Sequence, residues 1–166
     1  MIRSALLLAA TALLGNTQPP DDPAALTDCI LGYAQQAATA AKLDAFRTRP
    51  GDLMTAEKDE VTDYDASGLL ALDVTPTKFS VNDILDKGLE EHRFIATLDM
   101  PYPQARAALI ARMDRECDHD NTGIVKSCFF DLPRDDASGF DMSLSIRRVN
   151  LQESQLICRY SRKTGG

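Results

Sequence analysis

His92 and His119 are the only imidazoles in the chain, so a general base for chemistry near neutral pH is sought first at one of them, or at a carboxylate with a raised pKa. Glu90 precedes His92 by two residues. On a strand the two side chains share a face, where a carboxylate can orient the ring. A small hydrolase or isomerase would then use His92 with Glu90 or Asp99 in a cleft. The bland reading makes His92 a rim residue of the core face and His119, flanked by Asp118 and Asp120, an exposed loop residue. No nucleophile is marked out: G-x-S-x-G, S-x-x-K, H-E-x-x-H, C-x-x-C and a glycine-rich phosphate loop are all absent. Triads assemble in space, so local spacing alone does not decide for or against catalysis. No catalytic, cofactor-binding or metal-binding residue is assigned from the sequence.

Asp63-x-Asp65-x-Ser67-Gly68 and Asp118-x-Asp120-x-Thr122-Gly123 open like calcium loops, with oxygens at alternate positions and a glycine for the bend. Where a bidentate glutamate should close each loop stand Val74 and Phe129. Turn chemistry is the better explanation of the segments 63–68 and 118–123. Asp65-Ala66-Ser67-Gly68 is echoed by Asp136-Ala137-Ser138-Gly139, which suggests one local turn used twice.

Cys29, Cys117, Cys128 and Cys158 carry the strongest signal. Residues 1–17 read as an export signal: Arg3 gives a positive start, Ala5 to Leu14 an apolar run too short to span a bilayer, and Gly15 and Thr17 sit at the small-residue cleavage positions. Residues 18–166 then form a single exported domain, periplasmic or secreted, whose even number of cysteines favours two disulfides in an oxidising compartment. Four thiols allow three pairings. Cys117–Cys128 with Cys29–Cys158 is preferred, the first closing a short loop and the second tying an N-terminal helix to the last strand. A zinc site from Cys117, His119 and Cys128 lacks the C-x-x-C spacing that would make it specific.

The chain has 166 residues, four cysteines, no tryptophan and a net charge of −7 from 25 acids and 18 Lys and Arg. Residues 18–100 hold 16 acids and 7 bases, and residues 101–166 hold 9 and 10. Nucleic acid is a poor partner for that balance. Arg147, Arg148, Arg159, Arg162 and Lys163 read as a solvated basic rim. No segment after the leader has the length or apolarity of a membrane span.

The elements that would hold these residues start with Asp22-Pro23, a strong helix opening. Leu26, Ile30, Tyr33, Ala37 and Ala40 predict one helix to about residue 47, and a helical turn is expected near 55–61. Leu70, Leu72 and Val74 predict a strand over 68–74. Ser80-x-x-Asp83 before Val81, Ile84, Leu85 and Leu89 predicts a short helix. A strand follows from His92 to Leu98, then a helix over 102–117. Three strands are expected near 123–130, 139–149 and 154–161, the last two as a hairpin. The pattern predicts an α+β domain: helices packed on one face of an antiparallel β-sheet, single and disulfide-stabilised. The function favoured is a non-enzymatic binding or interaction module without a cofactor, its partner an envelope or extracellular protein or a small ligand.

Overall fold

The computed structural model describes residues 25–51 and 58–165. The predicted export signal and the Asp22-Pro23 helix opening lie outside them. Eight strands form one antiparallel sheet in the order β1-β2-β3-β4-β8-β7-β6-β5. They are β1 (Ala45–Pro50), β2 (Lys58–Tyr64), β3 (Lys78–Asp86), β4 (Leu89–Leu98), β5 (His119–Asn121), β6 (Ser127–Asp135), β7 (Phe140–Arg148) and β8 (Ser154–Lys163). Two meanders therefore meet at the β4–β8 pair, whose ten-residue register runs from Leu89↔Lys163 to Leu98↔Ser154. Helices are short: α1 (Ala25–Asp28), α2 (Tyr33–Ala40) and α3 (Tyr102–Met113). The expected arrangement of helices packed on one face of a sheet is overturned. The chain is a β-dominated, eight-stranded antiparallel fold.

The first half departs most from the sequence reading. The long first helix breaks at Cys29, which adopts a left-handed φ of 56°, and Ile30, expected on its buried face, is 73% exposed. α2 restarts after Gly32 because the Tyr33 N–H is taken by Asp135 Oδ2 from the far meander at 2.8 Å. That carboxylate acts as an N-terminal cap supplied in tertiary contact. Where the helix tail was expected β1 lies instead, and β2 takes residues 58–61 of the next expected helical turn, whose residues 55–57 lie outside the described ones.

The Ser80 capping box is not formed. Ser80 donates its hydroxyl to Asp63 at 2.7 Å, and β3 pairs along its length with β2 and β4. Two flanking ladders outweigh a helix too short to be stable alone. Gly88, at φ 79°, makes the β3–β4 reversal. The strand expected over 68–74 is a compact turn with one Ala71↔Val74 bridge and left-handed Leu72 and Asp73. α3 stops at Met113 because Asp114 takes a left-handed φ of 50°, four residues short of the expected end.

The strands from β4 onward follow their period-two patterns closely. Phe94 and Leu98 of β4, Tyr160 of β8, Leu144 of β7 and Phe130 of β6 turn to one face and are almost fully buried, with Leu26 and Leu109 closing over them. Two disulfides tie this layer: Cys29–Cys158 joins the N-terminal segment to β8, and Cys117–Cys128 joins the end of the α3 segment to β6. Cα–Cα distances of 5.3 and 5.5 Å suit the bonds. Among the described residues no cysteine is free and no helix is long and apolar enough to cross a membrane.

Candidate functional site

His92 lies at the core-facing end of β4, where its side chain is only 12% exposed. Nδ1 sits 2.5 Å from Asp83 Oδ1 and 3.3 Å from the Tyr33 hydroxyl, and Nε2 lies 3.2 Å from Glu90 Oε1. Tyr33 stacks on the ring at 4.3 Å, and Phe140 meets it edge-on. Glu90 is held in turn by Arg162, whose guanidinium rests 4.4 Å over Phe140. Asp99, the other carboxylate considered for this base, has no contact with the ring. Both nitrogens are occupied, and His92 lines none of the cavities described below. The arrangement is a bracket that fastens α2, β3, β4, β7 and β8.

Burial opposes the charge on His92, but the hydrogen bonds and charges of Asp83 and Glu90 override it and raise the pKa above the ordinary 6.5. For Glu90, burial also opposes ionisation, and Arg162 and His92 together hold its carboxyl below the usual range. A histidine whose folded pKa is raised contributes stability that is fully present below its unfolded value, about 6.5, and is lost as pH rises through the folded one. The melting temperature should therefore fall as pH climbs above that value, and His92→Phe should remove that part of the slope. An imidazole NMR titration with its midpoint at or below the ordinary value would contradict this.

The calcium-like turns hold their own partners. Asp65 accepts the Ser67 N–H at 2.9 Å and its hydroxyl at 2.6 Å, with Gly68 at φ 86° completing an Asx turn. Asp63 belongs to β2, where Lys78, Ser80 and Arg49 surround it. Burial opposes its charge, yet Ser80 and the two cations hold its pKa below the ordinary value. In the second segment Asp118 binds Arg115 and the Asp131 N–H, Asp120 binds Arg106, and Asn121 accepts the Gly123 N–H. At the echoed turn Asp135, not Asp136, is the acceptor, taking the Ala137 N–H and the Ser138 hydroxyl. His119 is exposed opposite Asp131. No cluster of three metal-ligating side chains occurs among the described residues. Millimolar calcium should leave the melting temperature unchanged; a rise reversed by chelator would show a site.

The sheet's second face is built differently. Alternation on β4 puts Glu91, Arg93, Ile95 and Thr97 there; by register, Arg159, Ile157 and Gln155 of β8 stand beside the last three of these, with Ser145 and Arg147 of β7 next. Two adjoining cavities of about 270 and 330 Å3 open on this face and share Arg93, Ile95 and Arg147. The first adds mainly polar groups, including Asn82, Thr97 and Gln155; the second adds Ile157, Phe129 and Val125. Among the described residues no helical one lines either cavity.

Charge on this face runs against the acidity of the chain. Arg49, Lys78, Arg93, Arg147 and Arg159 line the two cavities, and no Asp or Glu does so among the described residues. The acids lie beneath: the side chains of Asp63 and Glu91 are each 2% exposed, and Glu91 receives both Arg93 and Arg159. Arg147 has a carboxamide instead, donating from Nε and Nη2 to Gln155 Oε1 at 2.9 and 2.7 Å. Desolvation and the nearby charge of Arg93 lower its pKa. Asn82 Oδ1 is buried without a hydrogen-bond partner among the described residues.

This site was missed from the sequence. Its only trace was the basic run read as a rim, which the sheet divides: Arg147 and Arg159 go to the open face, while Arg148 and Arg162 go to the other, onto the Ile124 carbonyl and Glu90. Compared with protein-family models, with curated proteins and with solved structures, the chain matches none of them.

Proposed function

We propose that the chain is a non-enzymatic binding module working in an oxidising compartment, the periplasm or outside the cell, and that its ligand is a small molecule received on the open face of the sheet. The observation that carries this reading is the pair of adjoining cavities around Arg93, Ile95 and Arg147, which no helical residue lines among the described residues. Their size is at the lower end of small-molecule sites, roughly 300–1,000 Å3. The two disulfides favour the oxidising compartment. His92, on which a hydrolase or isomerase would rest, has both ring nitrogens engaged and faces neither cavity.

A thermal-shift screen of small molecules tests this on two proteins, the wild type and Ile95→Trp, whose indole would intrude on both cavities. A ligand at a hundred times its Kd stabilises by about 2.7 kcal/mol, or roughly 5–10 °C for a domain of this size. Hits should raise the wild-type melting temperature by such amounts and lose the effect in Ile95→Trp. Hits that stabilise both proteins equally would place the ligand elsewhere.

A further inference from the structure

We infer that the ligand is an amphiphilic carboxylate, its anionic group seated between Arg93 and Arg147 and its apolar body lying over Ile157, Phe129 and Val125. This rests on the open face being the ligand face. The register carries the geometry. Ile95 and Ile157 are cross-strand partners at the centre of β4–β8, Arg93 lies one step along the same face of β4, and Arg147 lies opposite Gln155, the step on the other side. An anion above the isoleucine pair thus meets a guanidinium from either end. Charge complementarity is specific at Arg147, since Arg93 and Arg159 already share Glu91 while, among the described residues, Arg147 has only a neutral acceptor. A bidentate carboxylate fits a guanidinium fork better than a carboxamide oxygen does.

The division of polarity sets the orientation. Beyond the shared residues, one cavity is mostly polar and the other carries the apolar side chains, so a purely ionic ligand would leave Phe129 and the exposed Val125 uncovered. A purely apolar ligand would desolvate Arg147 with only the neutral Gln155 oxygen to offset its charge. A molecule with one charged end and a short apolar body satisfies both.

Isothermal titration with octanoate, octanol and inorganic phosphate tests the assignment on the intact oxidised protein, with Arg147→Gln and, as a control at the β3–β4 turn, Lys87→Gln. Octanoate should bind at least about tenfold more tightly than octanol or phosphate, and Arg147→Gln should weaken it by about tenfold or more, the worth of a charge-assisted hydrogen bond. Lys87→Gln should leave it unchanged. Equal binding of octanol, equal binding of phosphate, no binding of octanoate, or indifference to Arg147→Gln would each overturn the amphiphilic-carboxylate assignment. The ligand-face reading would survive any of these results if screening hits still depend on Ile95, and it falls separately if they do not.

Discussion

Replacing Cys29 and Cys158 together by serine is expected to lower the unfolding free energy by about 4 kcal/mol, or roughly 8–16 °C in melting temperature. The bond joins residues 129 apart in sequence, so in the chain-entropy model it restricts the unfolded ensemble more than any short closure. Against this stands the left-handed conformation of Cys29, with φ at 56°, which costs about 1–2 kcal/mol. The net effect is therefore set slightly below the full entropic value. Cys117–Cys128 spans only 11 residues, so its double serine variant should lose less, about 2–3 kcal/mol. Denaturant melts of both variants under oxidising conditions provide the comparison. A long-bridge variant as stable as wild type, or less affected than the short-bridge one, would mean that the N-terminal segment is not fastened to β8 through this bond.

Glu91→Gln should cost about 2–3 kcal/mol of stability and at the same time strengthen octanoate binding several-fold. The carboxylate is buried under the open face and accepts from Arg93 Nε, from Arg159 Nε at 2.7 Å and from Arg159 Nη2 at 2.6 Å. Removing its charge leaves two cations over one neutral acceptor, and the loss is moderated because the Arg159 side chain is 40% exposed. The same change frees positive charge where an anion would sit. Stability and affinity should thus move in opposite directions, which a merely structural role for Glu91 would not produce. Chemical denaturation and titration of this one variant read both effects; unchanged stability, or weaker octanoate binding, would contradict the placement of Glu91 beneath the groove.

The strands after α3 were legible because their burial is one-sided. Phe140, Leu144 and Ile146 on one face, with Asp141, Ser143 and Ser145 on the other, admit only a period of two. The pairing of the cysteines was also legible, since loop length and the expected N-terminal and C-terminal elements favoured the bonds observed. The first half misled for two physical reasons. Residues 80–89 carry a helical capping pattern, but the neighbouring strands supply partners on both sides, and Ser80 and Asp83 spend their side chains on Asp63 and His92. Residues 26–40 are periodic like one helix, yet the chain must reverse at Cys29 to reach Cys158, and the second helical piece is started by Asp135, more than a hundred residues away. Signals of that range leave no mark on local spacing.

The open face was hidden for a related reason. Arg93, Arg147 and Arg159 are each ordinary outward residues on their own strands, and only the β4–β8–β7 register assembles them around Ile95 and Ile157. His92 drew attention instead because its residue type is scarce and reactive. Its neighbours, Tyr33, Asp83, Glu90 and Phe140, explain it as a pH-dependent fastening of the core.

Amide NMR of the oxidised protein titrated with octanoate tests the location of the ligand face most directly. Shifts should gather at Arg93, Ile95, Arg147 and Ile157 and fade towards the outer strands. Shifts centred on Asp83, Glu90 and His92, or absent from the four open-face positions, would contradict the assignment of this face as the place where the protein meets its ligand.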